Sequence, residues 1–393
     1  MGKRNYAVWV GDHGFPVGLA TIQRAKLICL GLKERGLNVS VISRYGIHDK
    51  SKAIDKIDGD WKGIRYKFAS GISYRPKKIH ERTLYKIWGF IMEYIYISRL
   101  ASENRLDVLL LHTNLVGNIV YYKFLCYIYG IPLLLSYVER YTAIRGTKSF
   151  LRRLNDILYE RIGLRLASGI LPISSYLSDL CSNLAPETPS LRVPVITDPC
   201  RFRRINRDRI SKYFMFVGGA GYSEIVEFCI SAFECVTDDS AYLYLVVSGS
   251  DHKLKLIQNR IHESPKSSRI KLYSDLQEGE LSTLYMNAYA LLIPLRPTTQ
   301  DRARFPHKIG EYSATGNPII SSSFGEVAKF FDDGVNAMLI NTYSIDALAR
   351  KMMFLLDHPK LAEEIGKNGQ RIAKEVFDYR KQGRRIASFI QNI

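Results

Sequence analysis

The stretch Arg302–Ser323 reads R-A-R-F-P-H-K-I-G-E-Y-S-A-T-G-N-P-I-I-S-S-S. It is flanked by two apolar runs, Ala288–Pro294 before it and Pro318–Ser321 at its end, and both predict short buried strands. Pro306 fits the first turn of a helix, where its missing N–H is not needed, and Gly316 fits the end of that helix. The stretch therefore predicts the order strand, loop, short helix, strand.

Positive charge gathers at the N-terminal end of this predicted helix. Arg302, Arg304, His307 and Lys308 all lie there, whereas Glu311 is the one acid inside the helix. Unpaired backbone N–H groups and the helix dipole both favour anions at such an end. The pattern indicates a site for a phosphate-bearing ligand.

The same stretch resembles the donor-sugar motif of retaining glycosyltransferases of the two-Rossmann (GT-B) type, family 4. The matching residues are Phe305, Pro306, Lys308, Glu311, Tyr312, Ala314, Gly316 and Pro318. The resemblance implies that Glu311 holds the ribose hydroxyls of a nucleotide sugar and belongs to the catalytic site. Arg302, Arg304, Phe305 and Lys308 are predicted to join it in donor binding. The family motif has a second glutamate eight positions earlier, and this chain has Ala303 there.

Length and composition are those of a globular chain with two domains. The 393 residues are 46% hydrophobic and 24% charged. The six cysteines form no C-x-x-C pair, which argues against zinc or disulfide frameworks and fits a reducing cytoplasm. The first residues, M-G-K-R-N-Y-A-V-W-V-G-D-H, predict a strand and not a signal peptide.

The N-terminal half begins as a β-loop-α-β unit. Tyr6–Val10 predicts a strand, Leu19–Arg35 a helix and Val39–Ser43 the next strand. The intervening loop is not G-x-G-x-x-G, so the nicotinamide fingerprint is absent. The resemblance implies that Gly18 lets the helix N-terminus approach the donor phosphate. A plain tight turn explains the glycines of this loop as well.

One acidic residue of this half is a candidate for acceptor-side catalysis. Ile131–Tyr137 predicts a buried strand, and Glu139 and Arg140 follow it. The resembling family often has an active-site polar residue here, so Glu139 is the predicted acceptor-side base. A structural ion pair of Glu139 with Arg140 or Arg145 is the alternative. His112, at another strand end, ranks below Glu139.

The second half opens with a strand and a glycine-rich turn, Tyr213–Gly221, followed by a helix from Ser223. Three glycines, Gly218, Gly219 and Gly221, are predicted to line a diphosphate, and at least one to need a positive φ or close ligand approach. A turn without a ligand is the alternative. The Arg and Lys that usually follow in the family are missing, and Arg302, Arg304 or Lys308 is expected to supply their charge.

These elements predict an α/β chain of two Rossmann-like domains facing a central cleft. The predicted divisions are an acceptor domain at 1–200, a basic linker at 201–212, a donor domain at 213–371 and a terminal helix at 372–393 that crosses back to the first domain.

Charge is unevenly distributed. Residues 1–200 hold 29 Lys and Arg against 16 Asp and Glu, and residues 201–393 hold 27 against 22. The excess and the basic-aromatic segment Arg75–Tyr96 predict a peripheral contact with an anionic membrane surface. A soluble enzyme whose basic cleft receives phosphorylated substrates is the alternative. The helix Leu84–Leu100 is apolar on more than one face, so it is either buried or in contact with lipid, and burial is predicted.

The predicted function is transfer of a sugar, with retention, from a nucleotide sugar to a glycan or lipid-linked acceptor in bacterial cell-envelope polysaccharide synthesis. No cofactor or metal is expected. The predicted location is the cytoplasm, at the inner face of the cell membrane. A nucleotide-sugar epimerase and a binding-only relative remain alternatives. A nucleic-acid-binding protein ranks last, because the chain lacks zinc spacing and RNP-like sequences.

Overall fold

The chain forms two compact units. The computed structural model describes residues 4–18, 20–47, 53–54, 56–144, 146, 148–203, 205, 207 and 212–393. The first unit comprises residues 1–196 and 379–393, and the second comprises residues 197–378.

A seven-stranded sheet forms the centre of the first unit. Its strands are β1 (Tyr6–Gly11), β2 (Asn38–Ser43), β3 (Asp58–Trp61), β4 (Ile64–Phe68), β5 (Val108–Leu111), β6 (Leu133–Tyr137) and β7 (Gly169–Pro172). Their order is β3-β4-β2-β1-β5-β6-β7, and all neighbours are parallel except β3 and β4. The chain moves from β1 towards β2 but later from β5 towards β6 and β7. The carboxyl end beside β1 is therefore the switch point where open α/β sheets bind ligands.

Among the described residues, five helices lie between these strands and a sixth follows β7. They are α1 (Ala20–Lys33), α2 (Ile79–Ser102), α3 (Val116–Tyr129), α4 (Phe150–Leu158), α5 (Leu164–Leu166) and α6 (Ser175–Leu184). A π-helical turn, Tyr159–Gly163, joins α4 to α5. Because right-handed crossovers lead in opposite directions from the switch point, α1 covers one face of the sheet and α3 the other.

The second unit has a six-stranded, fully parallel sheet. Its strands are β8 (Lys212–Gly219), β9 (Ala241–Ser248), β10 (Ile270–Tyr273), β11 (Ala290–Ile293), β12 (Ile319–Ser322) and β13 (Met338–Ile340), in the order β10-β9-β8-β11-β12-β13. Its helices are α7 (Ser223–Glu234), α8 (Asp251–His262), α9 (Glu278–Asn287), α10 (Thr299–Ala303), α11 (Lys308–Thr315), α12 (Ile345–Asp357) and α13 (Pro359–Glu375). The central strands are apolar and buried, as a sheet covered on both faces requires.

The C-terminal helix α14 (Tyr379–Asn392) belongs to the first unit and packs on α1. The two helices approach at Gly31 and Gly383, where a Cβ on Gly31 would lie 2.5 Å from the carbonyl oxygen of Tyr379. The sequence predicted one helix from residue 372. Instead α13 continues to Glu375, and a break at residues 376–378 separates it from α14.

The predicted fold class, α/β with two Rossmann-like domains, is confirmed. The predicted domain limits remain predictions, and six positions of the predicted linker (204, 206 and 208–211) lie outside the described residues.

The predicted burial of Leu84–Leu100 is wrong. Only Gly89, Glu93 and Ile97 of α2 are buried. These residues are four apart, so α2 contacts the rest of the unit along one narrow stripe and exposes its other faces. None of the helices within the described ranges is both long and apolar enough to cross a bilayer.

Candidate functional site

The candidate site lies in the segment between β11 and β12. β11 ends at Ile293, and α10 and α11 follow before β12 begins. The predicted order of strand, loop, helix and strand is found, with α10 as an additional short helix. The side chain of Thr298 accepts a hydrogen bond from the backbone N–H of Asp301 (3.2 Å) and so starts α10.

Asp301 fixes two arginines. Its side chain has no solvent exposure, and it accepts hydrogen bonds from the backbone N–H (2.8 Å) and the side chain of Arg296 (3.0 and 3.2 Å). Nη2 of Arg304 lies 2.8 Å from Oδ1 of the same carboxylate. The hydrogen bonds with Asp301 raise the pKa of Arg296 against the opposing effect of burial. Asp301 therefore holds both guanidinium groups in fixed positions.

Arg304 is thereby placed beside the glycine turn that follows β8. Its Nη1 donates to the hydroxyl of Tyr222 (2.8 Å), and its guanidinium carbon lies 4.8 Å from the centre of that ring. Tyr222 ends the 3₁₀ turn Ala220–Tyr222, directly after Gly219. The structure thus brings together the glycine turn and one of the arginines that the sequence proposed as its positive partner.

The glycines of this turn differ in their surroundings. A Cβ on Gly218 would lie 2.7 Å from the ring of Phe216, whereas Gly219 has only the carbonyl oxygen of Ser248 at 3.8 Å and Gly221 has nothing within 4 Å. None of the three has a positive φ, so of the two reasons predicted for these glycines, close approach of a ligand is the one that stays a prediction. The backbone of this turn has φ values that any residue can adopt, because the 3₁₀ turn leads directly into α7. Gly219 and Gly221 leave room for a ligand, and Gly218 is required by packing.

Glu311 lies in the first turn of α11 and already has a cationic partner. Its Oε1 accepts a hydrogen bond from Nη1 of Arg201 at 2.5 Å, and its side chain is 13% exposed. The same guanidinium reaches Glu278 at 3.3 Å and the hydroxyl of Ser282 at 3.3 Å. Sequence reasoning missed Arg201 because it stands 110 positions from Glu311.

Lys308 begins α11. Within the described part of the chain its ammonium has no hydrogen bond or ion pair. Burial lowers the pKa of Lys308, nearby Glu311 counteracts this, and Arg304 lowers the pKa further. Two cations close to each other and partly desolvated form an environment that an anion would stabilise.

The other sequence candidates of this segment lie elsewhere. Arg302 is exposed, with its guanidinium carbon 5.1 Å from the centre of the Phe324 ring. Phe305 is 2% exposed and stacks on Phe330, with the ring centres 5.5 Å apart. Its side chain therefore packs in an aromatic cluster and supports the loop between α10 and α11. Ala303, at the missing glutamate position, is fully buried.

The first unit holds the remaining candidates. Gly18 lies in the loop between β1 and α1, and its carbonyl oxygen accepts a 3.4 Å hydrogen bond from the side chain of Gln23. Glu139 is half-buried just after β6. Its neighbour Arg140 forms an ion pair with Glu160 at 3.6 Å. Both interpretations of Glu139 that the sequence left open remain open.

A buried charge network that sequence reasoning missed lies at the carboxyl end of β2. Arg44 is 1% exposed; it contacts Glu93 of α2 at 2.7 Å and Asp12 at 3.2 Å. It also donates to Asn118 and Tyr122 of α3, each at 2.9 Å. Burial alone would lower the pKa of Arg44, but Tyr122, Glu93 and Asp12 outweigh it and raise that pKa. One arginine thus ties α2 and α3 to the loop after β1.

Two histidines occupy the same sheet edge. His13 Nδ1 lies 3.0 Å from the hydroxyl of Ser43. Burial lowers the pKa of His13 to about 3, with further contributions from His112 and Arg44. Burial and Arg24 lower the pKa of His112 to about 4. Both imidazoles are therefore neutral at physiological pH.

The expectation of no metal has to account for one Asp-x-Asp sequence, Asp58–Asp60, because two neighbouring carboxylates can hold a metal ion. It lies on β3, the antiparallel edge strand. Asp58 pairs with Lys67 at 2.7 Å, and Asp60 accepts from the backbone N–H of Gly63 at 2.6 Å. Both carboxylates serve the β3–β4 hairpin, so this motif gives no reason to expect a metal.

Comparison with protein families matches most of the second unit. Residues 201–372 match the family model of glycosyl transferases group 1. The matched segment contains the glycine turn, Arg201, Asp301, Arg304 and Glu311. No curated protein matches the chain in sequence.

Solved structures show the same fold over the whole chain. Sucrose-phosphate synthase from Thermosynechococcus elongatus aligns with a TM-score of 0.78 and 14% identity, covering 99% of both chains. Anabaena Alr3699/HepE in complex with UDP-glucose aligns at 0.71 with 13% identity, covering 99% of this chain and 100% of that one. WaaG, a glycosyltransferase involved in lipopolysaccharide biosynthesis, aligns at 0.65 with 14% identity, covering 98% and 100%. At these identities the likeness establishes the fold: the chain has the two-Rossmann GT-B plan of these proteins.

Proposed function

We propose that the protein is a retaining glycosyltransferase of family 4 that transfers a sugar from a nucleotide-sugar donor to a glycan or lipid-linked acceptor. The observation that carries the proposal is the position of Arg304. Asp301 fixes it beside the glycine turn after β8, within the segment that matches glycosyl transferases group 1.

In this proposal the diphosphate of the donor binds between the glycine turn and α11. Arg304 and Lys308 face the phosphates, and the backbone of Gly219 and Gly221 leaves the space that they require. Charge that develops on the departing diphosphate is then stabilised by groups already in place. The HepE structure that contains UDP-glucose makes uridine diphosphate sugars the first donors to test.

Glu311 binds the ribose hydroxyls in this proposal. A carboxylate is suited to accept two neighbouring hydroxyl hydrogens. Because Arg201 already contacts its Oε1, the ribose shares the carboxylate with Arg201 or displaces that contact. Glu311 is therefore the donor residue whose environment changes most on binding.

On the acceptor side we propose Glu139 as the base and Gly18 as the point of close approach. Acceptor and leaving group share one face of the sugar, which gives retention, and the reaction needs no metal. The likeness to WaaG supports a role in bacterial cell-envelope polysaccharide synthesis. The proposed location is the cytoplasm, at the inner face of the membrane.

A donor panel tests the proposal. Purified protein is incubated with UDP-, GDP-, ADP- and dTDP-sugars, with and without EDTA, and release of the nucleoside diphosphate is measured. We expect release from one class of donor, undiminished by EDTA, and a product whose anomeric configuration by NMR is that of the donor.

The alternatives give different outcomes. Thermal stabilisation by a donor without release would identify the binding-only relative, for which the buried Ala303 is the observation in favour. A changed sugar without acceptor transfer would identify an epimerase. An inverted product would overturn retention and leave sugar transfer intact.

A further inference from the structure

Exposed apolar side chains are concentrated in one part of the first unit. Of the 24 large hydrophobic residues exposed in the described parts of the chain, 18 lie between Ile79 and Ile162. They belong mainly to α2, α3 and α4, and we call their exposed apolar residues the apolar face. Such concentration differs from the scattered exposed apolar residues of an ordinary soluble surface.

α2 presents an apolar stripe to solvent. Leu84, Trp88 and Ile91 are 68%, 50% and 47% exposed, and Ile87 and Ile95 continue the same stripe. Their spacing of three and four places them on the side of the helix opposite the buried Gly89, Glu93 and Ile97. A helix on the surface of a soluble protein would have polar residues there. The outer side of α2 therefore has the composition of a surface that another molecule covers.

α3 and α4 extend this surface. Val120, Phe124 and Tyr127 of α3 are 51%, 60% and 82% exposed, and Phe150 and Leu151 of α4 are 76% and 75% exposed.

The three helices are neighbours. The hydroxyls of Tyr129 and Ser98 join α3 to α2 at 2.6 Å, and Asn155 of α4 accepts from the N–H of Val116 at 3.0 Å. The exposed stripes therefore lie on adjacent helices. The Arg44 network holds α2 and α3 from beneath through Glu93 and Tyr122, so the apolar face is preformed.

The charges around the apolar face are mostly positive. Residues 75–165 contain 15 Lys and Arg against seven Asp and Glu. Three of the seven acids, Glu93, Asp156 and Glu160, are buried. Exposed cations around exposed aliphatic and aromatic side chains match the headgroup and acyl layers of an anionic bilayer. A second copy of this chain would bring a second basic surface against the first, which disfavours a dimer through this face.

We propose that the apolar face inserts into the interfacial layer of an anionic membrane, with α2 lying in the membrane plane. This deepens the peripheral location proposed above, but it does not depend on sugar transfer. It also differs from the electrostatic attachment expected from the sequence. Charge brings the protein to the membrane, and burial of Trp88, Ile91 and Phe124 holds it there, so binding survives salt that screens the charges.

Flotation with liposomes tests the proposal. The full chain is mixed with vesicles of phosphatidylcholine alone or with 30% phosphatidylglycerol (about a third anionic, enough to attract basic surfaces), and salt is raised after binding. We expect flotation with anionic vesicles, most of it retained in about 1 M salt. The fluorescence of Trp88 should shift to the blue and be quenched by brominated acyl chains, and Trp88→Phe should remove that signal.

Neutral substitutions separate insertion from charge. Ile91→Asn with Phe124→Asn should reduce vesicle binding at least tenfold without lowering the melting temperature, because both side chains are exposed. Leu256→Asn is the matched control, since Leu256 is 55% exposed on α8 of the second unit; it should bind as the wild type does. Failure of the wild type to float, equal flotation of all variants, or complete release by salt would overturn the proposal. A dimer in light scattering that the double variant dissolves would assign the face to a second copy instead. Nucleotide release, measured without vesicles, reports separately on the proposed function.

Discussion

Nη1 of Arg201 lies 2.5 Å from Oε1 of Glu311, across 110 positions of sequence and within the second unit. The acid that the sequence resemblance assigns to ribose binding is thus paired with a cation of the same unit. Arg201 also reaches Glu278. Glu311, Arg201 and Glu278 therefore form a short network in which the separate contacts can be tested.

Glu311→Gln should lower nucleotide release about tenfold or more while the fold survives. The substitution keeps the volume but removes the charge, and a hydrogen bond to a charged group contributes roughly 1.5–3 kcal/mol. The control is Glu278→Gln, which removes the other carboxylate on Arg201 at a position 65% exposed. Release rates, with circular dichroism to check folding, compare the two. Wild-type rates in Glu311→Gln would remove this residue from the site.

Gly219→Val and Gly221→Val should weaken nucleotide binding with only a small change in melting temperature. Both positions have space for a side chain, and that is the space assigned to the diphosphate in the proposal. Gly218→Val should instead lower the melting temperature, because its side chain would meet Phe216. Calorimetric titration with the preferred donor makes the comparison. Normal donor affinity in both of the first two variants would make the turn purely structural.

Asp301→Asn should destabilise the second unit by about 3–5 kcal/mol, because removing one member of a buried charge cluster leaves the others uncompensated. Donor affinity should fall too, since Arg304 loses its anchor. Glu224→Gln is the control: Glu224 pairs with Arg296 at 3.2 Å but is 77% exposed, so its loss should cost below about 1 kcal/mol. Urea unfolding measures both. Equal stability of the two variants would contradict the conclusion that Asp301 holds Arg296 and Arg304 in place.

The alternation of strands and helices could be predicted because parallel strands buried on both faces appear as short apolar runs. The inference from apolar composition to burial was wrong for α2. Its composition resembles that of a buried helix, and only the contacts of Gly89, Glu93 and Ile97 show that a single narrow stripe is covered. An apolar helix that faces inward and one that faces a partner have the same amino-acid pattern.

The parts of the candidate site could be predicted only where they are adjacent in sequence. Lys308 and Glu311 stand one turn apart, and Thr298-x-x-Asp301 has the spacing of a capped helix start, a signal that could have indicated Asp301. The Arg44 network joins positions 12, 44, 93, 118 and 122 on separate elements. Its partners are determined by the folded chain and leave no local pattern.

The free energy of unfolding should fall as the pH drops below about 6.5. The pKa of His13 is about 3 and that of His112 about 4 in the folded protein, both below 6.5, so the unfolded chain takes up protons first. Between the folded pKa and 6.5, each histidine contributes a slope of about 1.4 kcal/mol per pH unit. Its stabilisation is fully present above the unfolded pKa and is lost as the pH falls towards the folded pKa. Urea unfolding of the wild type and His112→Asn between pH 6 and 4.5 measures this. The unfolding free energy of the variant should depend less steeply on pH than that of the wild type. Equal slopes would show that His112 is not held in its neutral form by the folded protein.

The most direct test of the account is an experimental structure of the protein with its preferred nucleotide sugar. The account predicts the diphosphate within hydrogen-bonding distance of Arg304, against the backbone of Gly219, with the ribose hydroxyls at Glu311 and the Arg201 contact shared or displaced. A diphosphate bound away from the turn after β8, with the Arg201–Glu311 pair undisturbed, would contradict it.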